Sequence, residues 1–253
     1  MQNIDAWKPT KFCLGKRGWE GTSDPKHLHV ASRYTATRAV RVYQSAIEHH
    51  ARGHLVDLGC GDVPLYAIYR SHVSGVTCID WSGSDHGSAH IDIYADLNQP
   101  LPVASETADT VLSTSVLEHI WRHDILWSEM ARIVAPGGKV ILGVPFLYQL
   151  HEEPFDFFRW TRHALTKACE QNDLHVVELT AYGGGLDVLA DLSLKLWARR
   201  TRHGLKVANK VSFLLLEKGP LRRFSDRSMA KMPLGHVVVA QKPSGPRDQV
   251  PSA

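Results

Sequence analysis

The stretch VDLGCGD, Val56 to Asp62, decides how this chain is read. The apolar run HLVDL at 54–58 predicts a buried strand, and it ends in a G-x-G turn at Gly59 and Gly61, with Cys60 between them. Glycines at such a strand end let the backbone bend sharply and let a ligand approach it closely. The segment after it, PLYAIYRSH at 64–72, predicts a helix with Pro64 in its first turn, where the missing N–H does no harm. A helix N-terminus there favours a ligand's negative groups. A dinucleotide fingerprint would want a small residue at the position of Pro64, so a nicotinamide cofactor is disfavoured. A lone G-x-G also serves ordinary tight turns, and the neighbouring segments have to decide.

Those neighbours alternate. TATRAVRVYQSAIEHHA at 35–51 predicts a helix with Ala39, Val42, Tyr43, Ala46 and Ile47 on one face. GVTCID (75–80), HIDIYA (90–95) and ADTVLSTS (108–115) predict strands, and ILWSEMARIVA (125–135) a helix stopped by PGG. KVILGVPF (139–146) is a strand, TRHALTKACEQN (161–172) a helix capped by Thr161, and LHVVELTAY (174–182) a strand. GHVVVAQK (235–242) closes as a last strand. The pattern predicts a doubly wound α/β domain over 35–242, with a mostly parallel sheet and ligands at the carboxyl ends of its strands. Residues 1–34, broken by Pro9, Gly15, Gly18, Gly21 and Pro25, read as an irregular segment, a candidate lid over the site. The tail at 243–253, rich in Pro, Ser and Gly, is expected to be disordered.

Composition excludes several classes. The 253 residues carry Lys+Arg 29 against Asp+Glu 26, a surplus of +3 that argues for no nucleic-acid partner. Cys13, Cys60, Cys78 and Cys169 form no C-x-x-C pair, which suits reduced thiols in the cytoplasm. The fifteen histidines are scattered and not paired at metal spacings, so no metal is expected. The start has no apolar signal core, and the longest late apolar run, FLLL at 213–216, is far short of the roughly 20 residues a bilayer needs. A soluble chain is expected.

Chemistry gathers at the strand ends. Asp80 ends the second strand, where a carboxylate accepts from both hydroxyls of a ribose. Asp96 follows the third, placed to accept from an adenine amino group, with Leu97 as an apolar contact. Each alone is an ordinary loop residue; their order along the strand ends points to one nucleoside-bearing ligand. The series VDLGCGD, CID, ADLNQPLP, VLEHI, APGG resembles the class I S-adenosylmethionine-dependent methyltransferases from about His54 to Tyr182. Within them it is similar to the type-11 methyltransferase-domain subgroup found with polysaccharide-modifying enzymes. The resemblance implies a Rossmann-like sheet of seven strands with an antiparallel last strand, and S-adenosyl-L-methionine as cofactor. It places Asp57, Gly59, Cys60 and Gly61 along the methionine moiety, Asp80 and Trp81 at the ribose, Asp96 and Leu97 at the adenine, and Ser115 beside the sulfonium. One departure is that the family's common third glycine is Val63 here.

The fifth strand runs into VPFLYQLHEEPFDFFRWT, Val144–Thr161, which overhangs the place of a methyl donor. The segment is similar to a P-F-x-Y-x-x-H-x-x-P-x-D-x-x-R-x-T pattern of the same subgroup, matched by Pro145, Phe146, Tyr148, His151, Pro154, Asp156, Arg159 and Thr161. A protonated hydroxyl is a poor nucleophile, so methyl transfer to oxygen gains from a nearby base. His151 is the first candidate base, Asp156 or Glu152 its orienting carboxylate, and His119 of LEHI the rival base. Tyr148, Arg159 and Trp160 are candidate acceptor contacts. Plainer readings stand beside these: Asp156 and Arg159 as an ion pair tying the loop down, the aromatics as core, and His119 as a loop-closing hydrogen bond.

Residues 183–232 form a basic helical insertion, with Leu186, Leu189, Ala190 and Trp197 on one face. Its surplus, including Lys195, Arg199, Arg200 and Arg202, suits peripheral contact with an anionic membrane at its inner face, or a diphosphate. A solvated cap or a homodimer surface is the plain alternative. The whole reads as an S-adenosylmethionine-dependent methyltransferase acting on oxygen, with a sugar hydroxyl of a glycan or glycosylated metabolite as acceptor. A natural-product small-molecule methyltransferase and a non-catalytic cofactor-binding subunit are the alternatives.

Overall fold

The computed structural model describes residues 1–83, 86–197, 202–216 and 220–245. Strands β1 (Phe12–Gly15) and β2 (Gly18–Gly21) pair as an antiparallel hairpin, Phe12 opposite Gly21. The start of the chain thus holds this hairpin between irregular stretches, and Gly18 at φ 97° permits its turn. The hairpin lies against α1 (Arg33–His50), which buries Tyr34, Val40, Tyr43, Ala46 and Ile47.

The main sheet begins with β3 (His54–Leu58), followed by α2 (Tyr66–Tyr69), β4 (Gly75–Asp80), β5 (Ile93–Tyr94) and β6 (Ala108–Thr114). Then come α3 (His123–Ile133), β7 (Val134–Pro145), α4 (Arg162–Gln171) and β8 (His175–Tyr182). Helices α5 (Gly185–Trp197), α6 (Arg202–Leu216) and α7 (Pro220–Ser228) precede β9 (Gly235–Gln241). The strand order is β5-β4-β3-β6-β7-β9-β8, with β9 antiparallel to both neighbours and the other pairings parallel. This is the expected seven-stranded Rossmann-like sheet. Successive strand residues point to opposite faces, and both faces are covered. Leu112 and Ile141 face α1, while Val111, Val140 and Leu142 pack with Trp127 and Met130 of α3. The chain runs outward one way from β3 through β4 to β5 and then returns to β6, so a crevice opens above the carboxyl ends of β3 and β6.

Three local expectations are corrected. The helix expected over 64–72 is the single turn α2, because the chain must re-enter the sheet at Gly75. The glycine turn therefore has little helix dipole behind it to favour a ligand's negative groups. PGG does not end a helix: α3 ends at Ile133, Val134 already pairs with Ala108, and the register shift after it absorbs Pro136–Gly138 as an irregularity within β7. The inward face of α5 matches the expected one only in part, with Leu186 and Ala190 packed inward. Asp187, Val188, Asp191 and Leu194 are buried, whereas Leu189 and Trp197 are 58% and 61% exposed. Buried partners explain why the carboxylates also turn inward: Asp187 accepts from Tyr34 and Ser225 and faces Arg222 at 3.2 Å, and Asp191 accepts from Thr35 and pairs with Lys195. Arg199 and Arg200 and most of the tail lie outside the described residues. Among those described, no helix is long and apolar enough to cross a membrane.

Candidate active site

The glycine turn after β3 is held from the sheet, since Gly59 and Cys60 both donate their amides to the Ile79 carbonyl. Gly59 has φ 71° and Gly61 φ 48°, and a Cβ on Gly59 would come within 2.4 Å of Val116. Glycine is required there on both counts. Val63, where a third glycine would stand, keeps a left-handed φ of 50° although it is β-branched, so the backbone retains the glycine conformation at a steric cost. Asp80, at the end of β4, accepts from Gly61 N at 2.7 Å on one oxygen and from Trp81 N at 2.8 Å on the other. The carboxylate thus locks the turn and keeps free lone pairs for a ligand. Burial pushes its pKa up, against these two amides.

A cleft of about 590 Å³ opens here, walled by Gly59, Asp80, Trp81, Asp96, Leu97, Ser115, Val116 and Ile120 among others. Asp96 accepts from both the backbone and side-chain nitrogens of Asn98, which turns the loop and presents Leu97 to the cleft. Trp81 and Phe155 meet edge to face at its mouth, with ring centroids 5.6 Å apart. Acceptor carboxylates at two points and an apolar strip between them suit a nucleoside. Of the residues expected around a cofactor, Cys60 and Gly61 line the adjoining cleft and Asp57 lines neither. It is 5% exposed, receives the Tyr69 hydroxyl at 3.2 Å and reaches neither cleft wall. Burial lifts its pKa to about 7.

A second cleft, about 320 Å³, adjoins the first through Gly59, His86, Ser115 and Glu152, which wall both. Cys60 and Gly61 form its floor, and Tyr43, Glu118, Tyr148, His151 and Tyr182 line it. The N-terminal segment supplies Lys11, Phe12 and His29 to the same wall, as a covering element would. Ser115, at φ 56° beyond the end of β6, stands at the junction of the two spaces.

His151 is steered from behind. Asp156 Oδ2 accepts from the His151 amide at 2.9 Å and lies 3.2 Å from its Nδ1. Arg159 grips the same carboxylate at 2.6 and 2.7 Å and donates to the carbonyls of Gln149 and Phe158. Burial alone would raise the Asp156 pKa, but the guanidinium and the amide hold it at about 2. His151 itself is raised: burial lowers it, and Glu118, Asp156 and Glu152 outweigh that. Glu152 accepts from His86 at 3.2 Å, which holds its pKa at about 2. His119 donates Nδ1–H to the Phe155 carbonyl at 2.8 Å, closing the loop as its plainer reading expected, and its ring meets that of His151 at 4.8 Å.

Two residues expected as acceptor contacts stand away from both clefts. Arg159 is consumed inside the loop, and Trp160, 8% exposed, packs against Trp127, His123 and Phe158; neither reaches a cleft wall. Tyr148 lines the smaller cleft, where Lys195 of α5 stands 3.2 Å from its ring centroid. Glu118 was missed, although it stands directly before His119 in LEHI; nothing in the sequence says that its side chain is fully buried. The histidines that look scattered in sequence also converge, His119 and His151 meeting at Glu118.

Residues 56–142 match the methyltransferase-domain family. A ubiquinone/menaquinone biosynthesis C-methyltransferase of Rubrivivax gelatinosus is 29% identical over 94 residues, 35% of this chain and 38% of that relative's length. A candidate sarcosine dimethylglycine methyltransferase from Galdieria sulphuraria has a similar fold, with TM-score 0.56, 10% identity and 95% of each chain covered. So does geranyl diphosphate C-methyltransferase from Streptomyces coelicolor, with TM-score 0.54, 17% identity, 87% of this chain and 84% of that one covered. The matched segment, similar to a methyltransferase domain, holds the glycine turn, Asp80, Asp96, Ser115 and Glu118, which wall the two clefts at the carboxyl edge of the sheet.

Proposed function

We propose that the protein transfers a methyl group from S-adenosylmethionine to an oxygen nucleophile held in the smaller cleft. The observation that carries this is the continuity of the two spaces at Ser115 and Gly59, with His151 and Glu118 on the far side of the junction. Bound, the cofactor supplies an electrophilic methyl on a sulfonium. Asp80 and Asp96 would accept from its ribose and adenine, with Leu97 and Trp81 against the base. The remaining work is alignment and exclusion of water, which the loop and the N-terminal hairpin supply by walling the smaller cleft. His151, oriented by Asp156, presents Nε2 to the acceptor's proton.

The resemblance of the HEEPFD loop favours a sugar hydroxyl as acceptor. A second reading has support of its own: the Rubrivivax and Streptomyces proteins are C-methyltransferases by name, which favours carbon of a small acceptor. The insertion bears on the setting. Leu196, Val207, Leu214 and Phe224 are 75%, 63%, 73% and 62% exposed, an apolar surface that supports peripheral membrane contact through apolar burial more than through the arginines. The test is turnover of labelled S-adenosylmethionine with panels of sugar nucleotides, phenols and isoprenoid diphosphates, read as gain of one CH₂ by mass spectrometry. Transfer to the phenol or isoprenoid carbon alone would replace the oxygen reading. Cofactor binding with no transfer to any acceptor would favour the binding-subunit alternative.

A further inference from the structure

We propose that Glu118, His119 and His151 bind one divalent transition-metal ion at the acceptor end of the cleft, with Glu152 as the outer carboxylate. One donor atom from each of the three lies within 4.8 Å of the others. Glu118 Oε1 stands 3.7 Å from His119 Nε2 and 3.8 Å from His151 Nε2, and Glu152 Oε2 is 3.7 Å from His119 Nε2. Two ligands bound to one ion at about 2.0–2.2 Å sit roughly 3–3.5 Å apart, so small side-chain movements close the set. The same separations are too long for hydrogen bonds.

The second observation is Glu118 itself. It is 0% exposed, and neither of its carboxylate oxygens has a hydrogen-bond partner among the described residues. The two imidazoles stand beyond hydrogen-bond distance of it, so the buried carboxylate keeps unsatisfied lone pairs, a disfavoured state that a bound divalent cation would relieve. Both imidazoles are held from the far side, His119 through Nδ1 to the Phe155 carbonyl and His151 through Nδ1 to Asp156. Such backing fixes the neutral tautomer whose Nε2 lone pair faces inward, the arrangement of metal-ligating histidines. His119 Nε2 likewise has no hydrogen-bond partner. Two imidazoles with carboxylates favour zinc, manganese, iron(II) or cobalt(II) over magnesium or calcium.

This inference deepens the methyl-transfer reading, while metal binding stands without it. In the loaded protein His151 Nε2 holds the ion, and the acceptor's proton goes elsewhere. An acceptor hydroxyl ligated there would be acidified and would release its proton to water in the open cleft. Its oxygen forms the bond to the methyl carbon of S-adenosylmethionine as the carbon–sulfur bond breaks, and that electron pair stays on sulfur as a neutral thioether.

The experiment strips the purified full chain with a chelator, then titrates it with cobalt(II), read by visible absorption, and with zinc, read by calorimetry. One equivalent is expected to bind, and Glu118→Gln and His119→Gln should each weaken binding more than about tenfold, since loss of an outer-shell partner alone costs that much. Circular dichroism of the stripped variants checks that they fold, and the second variant stands in if the first does not. No binding by wild type, or binding indifferent to both substitutions, overturns the site. Full methyl transfer in chelator removes the catalytic role and leaves the methyltransferase reading intact. A metal-loaded protein that does not bind S-adenosylmethionine supports the site and sinks that reading.

Discussion

At the nucleoside end of the cleft, Asp80 is held by the amides of Gly61 and Trp81, and the turn beside it hangs on the Ile79 carbonyl. At the acceptor end, His151 is held by Asp156, Asp156 by Arg159, and Arg159 by the loop's own carbonyls. The first end is built on backbone amides at strand ends, whose positions follow from sheet register. The second is a relay of side chains, each placed by the next. A change at the first should cost one interaction, whereas a change at the second should propagate into the chemistry.

The strongest test of that contrast is His151→Ala. We expect kcat to fall by about 10²–10⁴-fold with S-adenosylmethionine affinity unchanged, measured by single-turnover kinetics and calorimetry. A parallel loss of cofactor affinity would show that the two ends do not act separately. Next comes a pH effect beneath the nucleoside end. Burial lifts Asp57 to about 7 from its ordinary 3.8, against the Tyr69 hydrogen bond, which lowers it. The folded chain therefore keeps a proton that the unfolded chain has released. Stability from this group is present in full below about pH 4, falls as pH rises towards 7, and is level beyond, a loss of at most about 4 kcal/mol. Asp57→Asn should flatten that slope in thermal melts between pH 4 and 8; an unchanged slope would mean that Asp57 ionises normally.

Smaller effects sharpen the contrast. Asp80→Ala should weaken S-adenosylmethionine binding by about 1.5–3 kcal/mol, the scale of hydrogen bonds to a charged group, with calorimetry as the check. Unchanged affinity would remove Asp80 from the ribose. Trp160→Phe is the control behind the loop. It should lower unfolding stability by about 1–2 kcal/mol and leave KM for the acceptor within about twofold. A large rise in KM would return Trp160 to the acceptor wall.

What the sequence determined by itself is the sheet and its cofactor edge. Strand periodicity and the glycine turn are local, so VDLGCGD, CID and ADLNQPLP could be placed at strand ends, and β9 was recognisable as the last strand. Asp57 shows the limit even there, because one residue's alternation along β3 sends its carboxylate inward to Tyr69 and away from the cleft. Only the tertiary structure decided the acceptor end. Glu118 and His151 are separated by 33 positions, and no spacing rule announces that they meet. The inward carboxylates of α5 were hidden for the same reason: Asp187 and Asp191 are buried because Tyr34, Thr35, Arg222 and Ser225, supplied by distant segments, complete their hydrogen bonds. A period in sequence reports which residues share a face; whether that face turns inward depends on partners the chain meets only once folded.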